Sequence, residues 1–312
     1  MTLLADRGRL CLEVCAEVPV AVYAPEDAPD PGRVAGVDLG VIHPFAVAGP
    51  GGKALLVSGR ALRAESRLHI AERKARSRAV GRRAPARGQR GSRRWLKYQR
   101  RTRALEARHR RRLAQARHEA AKAVITWAVS ERIGTLVVGD PVGVLELKSG
   151  KRHNQRLRDW RPGQAKQALA DKAGAAGIVV HIVDERGSSS TCPSCLVRVA
   201  KPKGRSFHCP HCGLVGHRDL VGAVNIAARS PGGGGTVSMP GTIMHRRAGQ
   251  HLPGAGRSRR DPRRTRWEIR RSLRGPWPAV ARPEVSAPGS GSNFAAAMFE
   301  DQPTLPERAR VG

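Results

Sequence analysis

Four of the six cysteines in this chain form two short repeats of a kind that binds metal. The repeats are Cys192-Pro193-Ser194-Cys195 and Cys209-Pro210-His211-Cys212, with thirteen residues between them. Two such pairs offer four thiolates to one tetrahedral Zn²⁺ and leave no open position on the ion. We therefore predict a structural zinc ribbon rather than a catalytic zinc, with His208 and His211 as bystanders.

Two aspartates lie beside the predicted ends of secondary-structure elements. Asp38 belongs to a short apolar strand, in the sequence Gly36-Val37-Asp38-Leu39-Gly40, and Asp219 stands near the start of a predicted short helix. Either aspartate alone is typical of a turn, or of the N-cap of a helix, where aspartate is favoured. Their order relative to the cysteine repeats is a further signal.

The charge of the chain indicates a polyanionic partner. Its 57 Lys+Arg against 25 Asp+Glu give a net charge of +32, and residues 60–117 alone hold 22 Lys/Arg and 3 Glu. An excess of this size repels itself unless a polyanion neutralises it, so nucleic acid is the expected partner. A GC-rich genome, in which arginine codons are frequent, would explain part of the excess of arginine but not its clustering. The candidate nucleic-acid contacts are Arg93, Arg94, Arg100, Arg101, Arg108, Arg110, Arg111 and Arg112.

The first half of the chain predicts a small sheet followed by two helices. Three short apolar segments, at residues 34–38, 44–48 and 53–57, are separated by glycine-containing turns and predict an antiparallel meander. Residues 60–132 predict a basic helical hairpin, broken between Gly81 and Gly91.

The second half predicts a strand, a helix and a strand. Residues 135–138 predict a buried strand, a helix follows from about Asp159 to Ala176, and residues 178–183 predict a second, near-continuous apolar strand. Short connections of this kind imply parallel strands joined by a right-handed crossover. After Ser230 the composition becomes rich in Gly and Pro, which predicts a disordered, low-complexity tail over residues 230–312.

The order of these motifs resembles the TnpB/OrfB family of transposon-encoded proteins, which is related to compact type V CRISPR effectors. The resemblance covers about residues 9–229. The matching residues are Gly36 to Gly40, Ser190 to Cys195, Cys209 to Gly213, Asp219, Asn225 and Ile226.

The resemblance implies an α/β, RNase-H-like (RuvC-like) mixed sheet with the basic hairpin and the zinc ribbon as insertions. It also implies a guide RNA, a DNA target and cleavage by two Mg²⁺ ions bound to three carboxylates. Asp38 matches the first of these carboxylates and Asp219 matches the third.

The sequence departs from the family at the second carboxylate. The position that is usually Glu, at the end of the strand after the basic helices, is Gly139 here. Asp140 is adjacent, but a shift of one residue on a strand turns the side chain to the other face. Glu185 follows the next parallel strand, which ends at the same edge of the sheet as Gly139. We prefer Glu185 as the replacement, with Asp140 as the alternative and loss of the nuclease site as the third possibility.

A second departure concerns the N-terminus. Family members place a recognition module before the first catalytic aspartate, whereas 37 residues precede Asp38 here, so we expect an N-terminal truncation or a misplaced start. The predicted organisation is a remnant of that module and a connector (1–32), a divided core (33–59, 133–187 and 216–229), the basic hairpin (60–132), the zinc ribbon (188–215) and the tail (230–312).

Three functions remain open from the sequence. The first is a transposon-associated, magnesium-dependent DNA endonuclease, and the second is a nuclease-dead relative that only binds nucleic acid. The third is a basic zinc-ribbon protein that binds RNA or DNA structurally. No segment approaches the roughly 20 apolar residues of a membrane span. We expect a cytoplasmic, nucleoid-associated protein of a bacterial-type cell, with no membrane partner and an undetermined oligomeric state.

Overall fold

The centre of the fold is a six-stranded mixed sheet. A computed structural model describes residues 1–5, 10–17, 19–141, 150–200, 204–232 and 237–252. The sheet strands in chain order are β3 (Asp30–Asp38), β4 (Phe45–Ala48), β5 (Lys53–Ser58), β6 (Ile133–Asp140), β7 (Val179–Asp184) and β10 (Thr242–Arg247). Their spatial order is β10-β5-β4-β3-β6-β7. Of these six strands β4 alone runs antiparallel to its neighbours, so the other five end at the same edge of the sheet.

Two small antiparallel pairs lie outside this sheet. Strands β1 (Thr2–Ala5) and β2 (Leu10–Glu13) form one pair, and β8 (Ser206–His208) and β9 (Val215–His217) form the other within the cysteine-rich segment. The predicted meander over β3, β4 and β5 is confirmed, and so is the parallel arrangement of β6 and β7.

Helices cover both faces of the sheet. They are α1 (Arg60–Gly81), α2 (Arg93–Ser130), α3 (Lys151–Trp160), α4 (Pro162–Ala175) and α5 (Arg218–Ala227). Helices α2 and α4 pack on one face, where the main apolar core includes Val37, Leu136 and Leu169. Helix α5 packs on the other face against small clusters from β3 to β6. None of the described helices combines the length and apolarity that a bilayer span requires.

The helix predicted from about Asp159 to Ala176 is confirmed over Pro162–Ala175, but it starts three residues later than predicted, and a separate helix, α3, ends at Trp160. Arg161 between the two helices adopts a left-handed conformation with φ of 50°. Proline has no N–H to donate to the preceding turn and disfavours helical geometry in the residue before it. The apolar strand predicted at residues 178–183 is confirmed as β7, which is an edge strand with Val179 and Ile182 more than half exposed.

The predicted disorder of residues 230–312 is wrong for the described part of that segment. Residues 242–247 form β10, which pairs in parallel with β5 from Thr242↔Lys53 to Arg247↔Ser58. The open edge of β5 supplies backbone hydrogen bonds that the Gly- and Pro-rich composition of the tail does not reveal. The remainder of the predicted tail, residues 253–312, lies outside the described residues.

Helix α5 approaches the sheet at backbone distance. A Cβ added to Gly36 of β3 would lie 1.9 Å from the carbonyl oxygen of Ala223 and 2.6 Å from the backbone nitrogen of Ala227. Real Cβ contacts are never this short, so a side chain at position 36 would push the helix away. Gly36 therefore sets the depth at which α5 lies on β3.

The two helices of the basic segment are joined by polar contacts. The rings of His69 and His109 stack with centroids 3.7 Å apart, and His69 Nε2 lies 3.0 Å from a carboxylate oxygen of Glu106. The other glutamates of the segment also pair locally, Glu65 with His109 and Glu72 with Arg76. The three glutamates of residues 60–117 therefore all pair with basic side chains within the hairpin.

Candidate functional site

The edge of the sheet where five strands end carries the acidic residues selected from the sequence. Asp38 is the last residue of β3, Asp140 is the last residue of β6, and Glu185 directly follows β7. The parallel register pairs Val37 with Val138 and Gly139 with Val183, which aligns the ends of these strands. The topology thus brings the candidate residues to one edge, and strand alternation decides which of them share a face.

Glu185 occupies the space that a side chain at position 139 would need. A Cβ added to Gly139 would lie 3.0 Å from both Cβ and Oε2 of Glu185, and 2.7 Å from Cδ1 of Ile226 in α5. On the α5 face, Val183 precedes Glu185 by two positions and packs with Val137 and Ile226. The carboxylate of Glu185 therefore lies on the α5 face, over the position that lacks a side chain.

Asp140 lies on the opposite face of the sheet. Its Oδ2 forms an ion pair with Nζ of Lys166 in α4, at a distance of 2.8 Å. Leu136 and Val138, which precede it at alternate positions of β6, belong to the core between the sheet and helices α2 and α4. Asp140 is thus directed away from α5 and already has a cationic partner.

The carboxyl groups of Asp38 and Glu185 both lie in surroundings that disfavour their charged forms. Burial, followed by the charges of Glu185 and Asp219, raises the pKa of Asp38 well above its usual value, even though its side chain keeps some solvent contact. Burial, with the charges of Asp140 and Asp184, raises the pKa of Glu185 to about 7. Oε2 of Glu185 is buried and has no hydrogen-bond partner among the described residues. These groups favour either protonation or a bound cation.

Asp219 has the opposite environment. Nη1 of Arg205 donates to both carboxylate oxygens at 2.5 and 2.7 Å, and Nδ1 of His43 donates to Oδ2 at 2.9 Å. Burial alone would raise the pKa of Asp219, but the hydrogen bond from His43 and the charge of Arg205 outweigh it and hold this pKa below its usual value. Asp219 is therefore ionised and already neutralised by protein cations.

Two histidines extend this site beyond the residues that the sequence suggested. Donor atoms of His43, His217 and Asp219 all lie within 4.8 Å of one another, so the three residues could hold a metal ion. His217, rather than Asp219, is the N-cap of α5, because its Nδ1 accepts the backbone N–H of Asp219. Arg205 competes for the same carboxylate, so a cation at Asp219 requires the guanidinium to move.

One face of α5 fixes the surroundings of the acidic residues. A Cβ on Gly222 would lie 3.2 Å from Cγ of Asp38, so this glycine makes room for the carboxylate. Nδ2 of Asn225 donates to the carbonyl oxygens of Ser188 and Thr191, both at 2.7 Å. These bonds tie the loop after Glu185 to the helix.

The turn that holds Glu185 is also braced by an arginine that follows α5. The guanidinium of Arg229 donates to the carbonyl oxygens of Asp184 and Arg186, on either side of Glu185. Sequence reasoning missed Arg205, His43 and Arg229. Their pairing depends on contacts between residues up to 176 positions apart, for which a single sequence carries no signal.

The four cysteines of the ribbon converge as a metal site requires. Cys192 and Cys212 have sulfur atoms 3.5 Å apart, and those of Cys195 and Cys209 are 3.6 Å apart. A tetrahedral site with Zn–S bonds of about 2.3 Å places its sulfurs about 3.8 Å apart, whereas a disulfide needs about 2.05 Å. The backbone N–H groups of Cys212 and His211 lower the pKa of the Cys209 thiol, which favours the thiolate that zinc binds. The four cysteines can therefore hold one zinc ion.

The two knuckles share one backbone geometry. The N–H of Leu196 bonds the carbonyl of Cys192, and the N–H of Gly213 bonds the carbonyl of Cys209, both at 2.9 Å. Both knuckles end in a residue with left-handed backbone conformation. Gly213 has φ of 75°, which glycine adopts without strain, and Leu196 has φ of 61° at the equivalent position. The core of the ribbon, around Phe207, includes Val221 of α5. The ribbon is thus packed directly on the helix that carries Asp219.

The candidate arginines of the hairpin differ in exposure. Arg93, Arg94, Arg100 and Arg110 are exposed, whereas Arg101, Arg108, Arg111 and Arg112 are half-buried. Arg112 lies 3.6 Å from Glu65 and takes part in the contacts between the two helices. The exposed four are the better candidates for contact with another molecule.

The sheet, its acidic edge and the four clustered cysteines define an α/β protein with a candidate metal site and a carboxylate cluster, and comparisons with known proteins show what it resembles. Residues 14–145 match the OrfB_IS605 family, described as a probable transposase, and residues 163–226 match the Cas12f1-like TNB domain. Both matches agree with the resemblance to the TnpB/OrfB family that the sequence motifs indicate. No curated protein matches the sequence.

Solved structures of compact CRISPR effectors resemble the chain. The CRISPR-Cas12f ternary complex is 20% identical with a TM-score of 0.50, over 71% of this chain and 41% of that one. The Cas12f1–sgRNA–target DNA complex is 20% identical with a TM-score of 0.48, over 65% of this chain and 51% of that one. The first likeness shows a shared fold. This chain spans about half or less of the length of both solved chains.

The raised pKa of Glu185 predicts how the stability of the magnesium-free protein depends on pH. Folding favours the protonated form, so this contribution is complete below pH 4.5 and is lost as pH rises through about 7. Relative to wild type, Glu185→Gln should leave the free energy of unfolding unchanged near pH 4 and raise it by roughly 1–3 kcal/mol near pH 8. Urea unfolding at both pH values measures this. Glu26→Gln, at an exposed position, is the control, and an equal gain in that variant would contradict the prediction.

The ribbon geometry predicts that zinc binding and local folding are coupled. Cys209→Ser should release the zinc and remove amide protection in β8 and β9, because binding energy at such sites is largely folding energy. Protection in β3 and β6 should persist, since their main core lies on the other face of the sheet. Elemental analysis and hydrogen exchange measure both effects. Cys15→Ser, at an exposed cysteine, should retain one zinc per chain, and a wild type without zinc would refute the assignment.

Proposed function

We propose that this chain is a metal-dependent DNA endonuclease of the transposon-associated, RNA-guided type, with a RuvC-like core. The observation that carries the proposal is the position of the Glu185 carboxylate over Gly139, on the same face as Asp38. A second carboxylate is thereby supplied from the neighbouring strand. The matched family, described as a probable transposase, and the Cas12f complexes with guide RNA and target DNA support the assignment of partners.

Asp38, Glu185 and Asp219 would hold the magnesium ions. Magnesium takes oxygen ligands, and the orphaned, buried Oε2 of Glu185 beside the raised-pKa carboxyl of Asp38 fits such an ion. Bound magnesium would activate a water molecule and stabilise the leaving oxygen of a DNA phosphodiester. The chain itself contributes position: Gly222 leaves room for Asp38, and Arg229 braces the turn that carries Glu185.

The exposed arginines of the hairpin would bind the phosphate backbone. Residues 60–117 of the hairpin carry 22 Lys/Arg and 3 Glu, and each of these three glutamates pairs inside the hairpin. The outward-facing positive charge is therefore not cancelled by these acids. A surface of this kind binds RNA and DNA alike through counterion release.

One observation favours a second candidate function, a nuclease-dead protein that binds nucleic acid. Arg205 donates to both oxygens of Asp219 and occupies the place that a metal ion would take there. If this contact persists, Asp219 is not available to bind a metal ion. The two functions share the hairpin surface and the zinc ribbon and differ in cleavage alone.

The decisive experiment purifies the chain with its bound RNA, sequences that RNA, and assays the complex for magnesium-dependent DNA cleavage. Glu185→Gln should reduce cleavage by more than about 100-fold. Loss of an outer-shell group at a metal site costs up to about 100-fold, and loss of a direct ligand should cost more. Binding of nucleic acid should remain, because Glu185 carries no positive charge.

Asp140→Asn is the matched control for this experiment. Asp140 pairs with Lys166 on the other face of the sheet, so its loss should change cleavage by less than about 10-fold. If Asp140→Asn abolishes cleavage and Glu185→Gln does not, the assignment of Glu185 is wrong. If the wild type and Arg205→Gln both fail to cut with the sequenced guide, the nuclease-dead function is the correct one.

The hairpin surface predicts a change in the salt dependence of binding. Replacing Arg93, Arg94, Arg100 and Arg110 by Gln should lower the slope of log K against log salt by up to about 3–4, since each phosphate contact contributes about 0.7–0.9. Arg117→Gln, in the same helix, is the control, because Arg117 is buried and donates to Gln164. Fluorescence titration at several salt concentrations gives the slopes. Equal slopes in the fourfold variant and the wild type would place the contact surface elsewhere.

A further inference from the structure

The described segment after α5 is firmly attached to the sheet, although the proposed chemistry makes no use of it. Its strand β10 is held at both ends, by a hydrogen bond from Gly241 N to the Gly52 carbonyl at 3.0 Å and by one from Ala248 N to the Ser58 carbonyl at 3.1 Å. On either side of the strand, Val237 packs against the α5 cluster and Leu252 packs against α2. The segment therefore has a fixed position on the molecule.

The direction of β10 places its last residues at the acidic edge. β10 runs parallel to β5, and β5 runs in the same direction as β3, β6 and β7. The consecutive residues His245, Arg246 and Arg247 thus end at the edge that carries Asp38 and Glu185. All three are exposed.

The register divides these three basic residues between the two faces of the sheet. His245 pairs with Leu56, which packs with Leu220 of α5, so His245 and Arg247 lie on the α5 face. Arg246 pairs with Val57, which belongs to the core under α2, so Arg246 lies on the opposite face. Residues that are paired across two adjacent strands project from the same face of the sheet.

The α5 face of the sheet carries other cations beside the acidic site. On this face Arg205 and Arg218 are directed at Asp219, at 2.5 and 3.7 Å. His245 and Arg247 add two basic side chains to the same face, on the far side of β5 and β4.

We propose that His245 and Arg247, on the α5 face of β10, contact the phosphate backbone of the nucleic-acid strand that enters the carboxylate site. The proposal rests on the proposed function for the identity of that strand. Three carboxylates repel a polyanion, so a strand that passes over them needs cations on the approach, and β10 supplies these from the far side of β5 and β4. The expected ligand is a single strand, because such strands follow positively charged grooves.

The neighbouring arginines provide a matched pair of variants. Arg247→Gln and Arg246→Gln remove the same charge from adjacent, exposed positions on opposite faces. Binding of a fluorescent single-stranded oligonucleotide is measured at several salt concentrations in magnesium-free buffer. We expect Arg247→Gln to lower the salt slope by about 0.7, the value for one phosphate contact on a single strand. His245→Gln should weaken binding further when combined with it, and Arg246→Gln should leave the slope unchanged.

Equal slopes for Arg247→Gln and Arg246→Gln would overturn the proposal, since they would show only a general charge effect. A concentration-dependent dimer that the β10 variants abolish would also overturn it and assign the strand edge to pairing between two copies. The binding assay is independent of cleavage. If the wild type does not cleave DNA but Arg247→Gln lowers the salt slope as expected, the proposed nuclease activity is refuted and the proposed binding surface is not.

Discussion

The depth at which α5 lies on the sheet determines the geometry of the acidic site. Gly36 in β3 allows the helix to approach at backbone distance, and Gly139 in β6 leaves room for the side chains of Ile226 and Glu185. This approach places Gly222 against Asp38 and Ile226 beside Glu185. A helix held even an ångström higher would separate Asp219 from the edge of the sheet. Close packing in protein interiors transmits such a shift with little loss.

The site combines two electrostatic environments within one cluster. Burial, together with the charges of neighbouring acids, raises the pKa of Asp38 and the pKa of Glu185. Asp219, in the same cluster, is surrounded by His43, Arg205 and His217, and its pKa is lowered. The raised pKa values of Asp38 and Glu185 favour a bound cation, whereas protein cations already neutralise Asp219. The ribbon supplies Arg205, so the metal-binding module and the acidic site share a side chain contact.

Local sequence patterns predicted the strands, the basic helices and the cysteine site because each depends on short-range periodicity or spacing. The preference for Glu185 over Asp140 followed from strand alternation, and the faces on which these residues lie agree with that argument. Arg205 and His43 could not be predicted, since nothing local distinguishes them from other basic residues. The strand at Thr242–Arg247 was missed because its partner, β5, is distant in the chain and the surrounding composition indicates a linker.

The place of β10 in the chain has a consequence for how the sheet is completed. Lys53 and Thr242 are adjacent in the sheet but 189 positions apart in sequence. Pairs of such high sequence separation form late, because the entropy of closing a long loop must be overcome first. During synthesis the apolar strand β5, with the sequence Lys-Ala-Leu-Leu-Val-Ser, therefore keeps an open edge until the ribbon and α5 have emerged from the ribosome. An edge of this composition invites pairing with other chains, and the basic strand β10, the last element among the described residues, covers it.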